Sequence, residues 1–255
     1  PSLESCAIIG RCLEDVRTGM EVISGNDEND FSMEEGALPD FTSFRKDKRD
    51  IKSVAVIREL FTLGEEGRNN AQQSAVQALQ QKGIEVREVS VPLFDKARIV
   101  HQVVGSAEAS SCCGKYDGVR YGHRTAGQTK NWNEMYIKSR GESFGRLIKQ
   151  YLFQGAYFQF HNYAAFEKAC RLRAALVKEI SDTFAAVDAV VLPTSAINPS
   201  VPAACDLTYI YKLFALTLPA NVLGLPSLQI PGVALNGPKD FGLQVMAKRL
   251  DDALI

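Results

Sequence analysis

The chain has 255 residues, with 29 Lys or Arg set against 30 Asp or Glu and a formal net charge of -1. That length accommodates one large α/β domain or two small ones with a real core, and the near-neutral balance supplies no global field to gather nucleic acid or an anionic membrane. No run of about 18 apolar residues occurs, so no membrane-spanning helix is expected. Taken in chain order, Leu13, Val16, Met20 and Ile23 recur at helical spacing. They predict a short surface helix over residues 11–24 with one buried face, stopped at Gly25. Residues 26–50 lose all periodicity and read as a surface loop, its charged run at 45–50 solvated because Asp interleaves with Lys and Arg.

Residues 53–57 form an apolar strand, 69–82 a helix with Ala71, Ala75, Ala78 and Leu79 inward, and 84–91 a second strand after the helix stop at Gly83. Strand, helix, strand predicts a parallel βαβ pair. The Gly64-Glu65-Glu66-Gly67-Arg68 turn lacks the phosphate-cradling glycine pattern and places acids where an anion needs donors, which excludes a dinucleotide site. Helices follow over 96–113, 132–139, 144–160 and 163–184. A wholly buried strand over 188–194 ends at Pro193, and an apolar helix over 208–222 is interrupted at Pro219. Strands over 227–233 and 242–247, joined by a turn at Asn236-Gly237-Pro238, complete an α/β chain with a mixed or mostly parallel sheet.

Six cysteines make no CxxC pair and no zinc-type spacing with His101, His123 or His161; they read as free thiols of a reducing cytosol. Pro1 to Ser5 has neither the basic nor the apolar region of a secretory signal, and the non-Met start suggests a missing beginning. No G-x-S-x-G elbow exists, and Ser110-Ser111-Cys112-Cys113-Gly114 follows a helix rather than a strand, so it reads as a helix end. None of the three histidines has a nucleophile or acid pattern beside it, and each reads as structural or solvated. Tyr116-Asp117-Gly118 is a turn by chemistry, with Arg120 as an ion-pair donor. In Pro219-Ala220-Asn221-Val222-Leu223-Gly224-Leu225-Pro226 the proline kinks a helix and Asn221 is expected to satisfy the freed backbone groups.

Tyr116-Asp117-Gly118-Val119-Arg120-Tyr121-Gly122, Ser139-Arg140-Gly141-Glu142-Ser143-Phe144-Gly145 and the proline-framed segment, in this order and spacing, resemble the C-terminal half of the amidase-signature family. Within it the likeness is strongest to the A subunit of the tRNA-dependent amidotransferases, and it extends over nearly the whole chain. The resemblance implies an α/β amidase-signature mixed sheet flanked by helices. It also implies that residues 1–255 are the C-terminal part of a single domain, incomplete because the N-terminal half is absent. The family's nucleophilic serine, its partner serine and its lysine lie in that other half, so no catalytic residue is assigned here and this chain alone is expected to be inactive. The segment from Pro1 to Asp15 resembles the one that follows the nucleophile.

By the same resemblance the complete enzyme hydrolyses glutamine, and a partner subunit uses ATP and Mg to amidate Glu-tRNA(Gln) or Asp-tRNA(Asn). No cofactor is expected in this chain; other amidotransferase subunits are expected partners, with tRNA held mainly by one of them, a small carboxamide as substrate, and a cytoplasmic location. The substrate pocket departs from the family. The positions of its arginine, aspartate and tyrosine fall at Tyr151, Phe214 and Gln102, which removes the charged grip on an amino-acid head group. Those three are the candidate substrate-binding residues. A stand-alone amidase acting on another carboxamide, and a non-catalytic scaffold remnant, are the alternatives. A sheet left open at one side would also expose a strand edge and make the chain poorly soluble.

Overall fold

The computed structural model describes residues 2–30, 33, 49–62, 66–195, 206–231 and 242–255. Five strands form one mixed sheet: β1 Ser53–Ile57, β2 Glu85–Val89, β3 Ala189–Pro193, β4 Ser227–Ile230 and β5 Leu243–Ala247, in the order β2-β1-β3-β5-β4. β1 runs parallel to β2 and β3, whereas β5 is antiparallel to both β3 and β4. The predicted βαβ unit is present, its helix α2 spanning Glu66–Gln81. Gly83, at φ 79°, ends it in the left-handed conformation that glycine adopts without a Cβ clash. Ala75 is buried as expected, and Ala78 and Leu79 are half-buried. The predicted turn at 236–238 and most of the charged loop lie outside the described residues.

Alternation along the strands divides the core between two faces. Ala55, Ile57, Val190, Leu192 and Met246 point to one side, where they pack with Val100, Val104, Leu176, Ile180 and Val222. These come from α3 Ala97–Val100, the π-helical segment His101–Gly105, α7 Tyr163–Phe184 and α9 Leu218–Leu223. Val54, Ala189, Val191 and Val245 point the other way, against Leu79 of α2, Ile84 and Ile255. Every residue of β3 is buried, as its unbroken apolar run requires of a central strand. At its start Asp188 Oδ2 accepts the Lys52 and Ser53 amides, at 2.9 and 2.8 Å, and the Ser53 hydroxyl at 3.0 Å. One carboxylate thus joins the leading ends of β1 and β3.

Helix α6 Arg146–Phe160 packs Phe158 against this core, and α5 Trp132–Ser143 runs four residues beyond its predicted end. α6 crosses α4, Ser106–Cys112, at Gly155, where a Cβ would fall on the Ser106 carbonyl. Three expectations need correction. The helix α1, Leu13–Ile23, has no buried residue. Leu13 and Ile23 are exposed, and Ile8 of the segment before the helix packs over Gly19. The interruption between α8, Leu207–Leu213, and α9 falls at residues 214–217 rather than at Pro219. Pro219 sits in the first turn of α9, where a missing N–H leaves no bond unmade. Lastly, the Asn221 side chain does not repair a kink: its Nδ2 donates to the Leu3 carbonyl at 2.7 Å.

Candidate functional site

Three helices converge on the first described residues. Glu108 of α4 accepts the Ser2 amide and hydroxyl at 2.6 and 2.7 Å. Arg173 of α7 donates to the Ser2 hydroxyl at 2.7 Å, to the Ser2 carbonyl at 3.2 Å and to the Val222 carbonyl at 2.7 Å. Asn221 of α9 holds the next carbonyl, that of Leu3. A charge-assisted donor and a charge-assisted acceptor on one serine, with an amide behind them, fix the segment more firmly than neutral contacts would.

Beside Leu3 lies a polar group set into the core. The missing Cβ of Gly105 lets the Tyr151 hydroxyl approach the π-helical segment, and the space it leaves is also bordered by Leu3 and the His101 ring. Tyr151, on α6, shares a side-chain hydrogen bond with Tyr211 of α8, and the Tyr211 hydroxyl lies 3.2 Å from His101 Nδ1. Burial raises both phenols above their ordinary range and pushes His101 down. All three are therefore neutral near pH 7, and they can give and take hydrogen bonds without presenting charge. Arg98 and Glu108 act on the tyrosines only through space, and Glu108 is occupied by Ser2. π-Helical turns of this kind recur at functional sites because they shift side chains out of the regular register.

Of the predicted pocket residues, Tyr151 thus belongs to a polar set with Tyr211 and His101, while Gln102, half-buried, follows His101 in the π-helical segment. Phe214 caps the C-terminal end of α8, is 44% exposed, and accepts the Thr217 and Leu218 amides through its carbonyl. No described contact joins it to Tyr151. Sequence reasoning missed Tyr211 and Arg173. The first is one apolar-looking position in an apolar helix, and the second sits on a charged face with nothing to distinguish it.

The two glycine-bearing motifs lock to each other rather than to this cluster. Asp117 Oδ1 accepts the Val119 and Arg120 amides at 2.8 and 2.9 Å, as an Asx turn does, and these amides hold its carboxyl below the ordinary range. Gly118, at φ 73°, brings its backbone onto the buried Ser139, whose hydroxyl accepts the Thr125 amide at 3.0 Å. Glu142 receives the Thr125 hydroxyl at 2.7 Å and pairs with His123 at 2.6 Å, which accounts for that histidine as a structural one. Arg140 ties the corner to α4 through the Cys113 and Tyr116 carbonyls. The 110–114 cluster is a helix end, as expected. Among the described residues no three His, Cys, Asp or Glu are grouped as metal ligands, and no helix is long and apolar enough to cross a membrane.

A five-stranded mixed sheet with helices packed on it makes this an α/β fold. The Amidase family model matches residues 1–255, and the chain belongs to that family. The A subunit of glutamyl-tRNA(Gln) amidotransferase from Lactobacillus gasseri is 32% identical over 266 residues, covering 100% of this chain and 53% of that protein. Its counterpart from Pediococcus pentosaceus is 33% identical over 262 residues, with 98% and 52% covered. The crystal structure of the Thermotoga maritima counterpart superposes with a TM-score of 0.65 at 26% identity, over 94% of this chain and 48% of that one. The chain therefore spans about half the length of the relatives it matches.

Proposed function

We propose that these 255 residues are the C-terminal portion of a glutamine-hydrolysing amidotransferase A subunit, acting in the cytoplasm. In this reading the family's serines and lysine are carried outside them. The observation that supports it best is the hold of Glu108, Arg173 and Asn221 on Ser2 and Leu3. By resemblance, that is where the nucleophile-bearing segment joins, and an acyl-transfer nucleophile works only when its backbone is fixed to a fraction of an ångström. The chain then contributes the frame and one wall of the pocket. Ammonia released from the amide passes to a partner subunit that uses ATP and Mg to amidate Glu-tRNA(Gln) or Asp-tRNA(Asn). Ammonia release from glutamine by the 255-residue chain, and by the same chain joined to its upstream reading frame, tests the proposal. Only the longer protein is expected to be active; activity of the short one, or an upstream frame without the serines, would rule it out.

One observation favours a second reading, a stand-alone amidase acting on an uncharged carboxamide. Tyr151, at the position the resemblance gives to the family's arginine, is a neutral phenol, and it sits with Tyr211 and His101 rather than with a charged group. Each charged hydrogen bond lost there is worth about 1.5–3 kcal/mol. The longer protein would in that case show a higher kcat/KM for a simple aliphatic carboxamide than for glutamine, and Tyr151→Arg would shift the preference back toward glutamine.

A further inference from the structure

The contacts around Tyr151 close into a ring. In the π-helical segment the missing Cβ of Gly105 leaves a space that the Tyr151 hydroxyl fills; a methyl group there would lie 3.4 Å from Leu3 Cδ1 and 3.6 Å from His101 Cε1, but would collide with that hydroxyl. Gly105 is thus a seat for the phenol. The same hydroxyl is hydrogen-bonded to Tyr211, which is 5% exposed. Tyr211 in turn lies 3.2 Å from His101 Nδ1, with its ring 5.7 Å from the imidazole and turned 70° to it. His101 belongs to the same segment as Gly105, so the path from the π-helical segment through α6 and α8 returns to its start.

The helices that carry the ring are themselves held. Asp206 caps α8 by accepting the Tyr209 amide at 2.8 Å, the Ser195 hydroxyl donates to the Leu213 carbonyl at the other end of that helix at 3.3 Å, and Gly155 seats α6 against Ser106 of α4. A tyrosine has few side-chain torsions to freeze, so a steric seat and one buried hydrogen bond are enough to hold it in a single rotamer. Tyr151 is a fixed side chain, and Tyr211 and Gly105 fix it.

We propose that Gly105 and Tyr211 are specificity-determining residues that act through Tyr151: they lock its ring as a rigid wall of the acyl pocket, so that the site admits a short uncharged carboxamide and turns away a longer one. The inference rests on the second reading above, in which Tyr151 lines that pocket. It adds the acyl length and the two residues that set it. A wall that cannot move discriminates by exclusion, whereas a tyrosine free to change rotamer would swing aside for the larger substrate.

The test uses the chain joined to its upstream reading frame and compares kcat/KM for propionamide with that for hexanamide, in variants whose circular dichroism matches the parent. The parent is expected to prefer propionamide. Tyr211→Phe keeps the ring and removes the hydroxyl, and should narrow that preference by about 3- to 10-fold, as the loss of one neutral hydrogen bond allows. Gly105→Ala drives the Tyr151 hydroxyl from its seat and should narrow it in the same direction. In a Tyr151→Ala background Tyr211→Phe should leave the ratio unchanged, a dependence that a merely structural role would not produce. A parent that hydrolyses neither amide, or that prefers glutamine to both, overturns the reading and the inference with it. A parent that prefers propionamide, with a ratio that Tyr211→Phe does not change or changes equally without Tyr151, overturns the inference alone.

Discussion

Asp188 shows how much one side chain can organise. Its carboxyl is held below the ordinary range chiefly by the Ser53 amide, then by that of Lys52 and the Ser53 hydroxyl. Because the folded value is the lower one, this stabilisation is complete above the unfolded value of about 3.9 and is lost as pH falls through the folded value. Asp188→Asn should cost about 1–2 kcal/mol at pH 7 in urea unfolding and clearly less at pH 3. Gly155 makes the opposite kind of contribution, through what it lacks. Gly155→Ala sets a methyl against the Ser106 carbonyl, and should destabilise by about 2–3 kcal/mol in the same measurement. The sequence makes Asp117 and Gly118 readable as a turn, because Asx turns and positive φ are local chemistry. It does not reveal the Tyr151, Tyr211 and His101 set, whose members stand 50 or more residues apart and meet only through helix packing.

At the scale of elements, length and periodicity are readable while breaks are not. α7 spans its predicted residues because Ala169, Leu176 and Ile180 mark its inner face strongly. The break between α8 and α9 is misplaced because proline is ambiguous: it ends a helix from within and begins one from its first turn. The π-helical turn at His101–Gly105 leaves no trace in composition, and the Tyr151 hydroxyl that fills the space beside Gly105 comes from another helix. α5 depends visibly on its cap. Asn131 Oδ1 accepts the Glu134 amide at 2.9 Å while Glu134 reaches back to the Lys130 amide at 2.7 Å. Asn131→Ala should therefore cost about 1 kcal/mol, measured by thermal unfolding, and should increase amide exchange in the first turn of α5.

For the whole molecule, the βαβ start and mixed sheet are legible because strands and helices alternate, but the order β2-β1-β3-β5-β4 is not, since nothing local pairs β1 with a strand 135 residues on. Among the described residues β4 is an edge, with Ile230 39% exposed, and α6 presents Phe153 and Phe160 at 75% and 77% exposure. Such surfaces self-associate. Sedimentation velocity should show concentration-dependent assembly of the chain, and Ile230→Lys should reduce it by charging the edge. The tether at Ser2 and Leu3 carries a different implication, for biosynthesis. Its partners Glu108, Arg173 and Asn221 follow by 106, 171 and 218 residues. At about 5–20 residues per second, the last of them emerges from the ribosome roughly 10–40 s after the segment it secures. Until then this segment waits without the contacts that hold it in the folded protein.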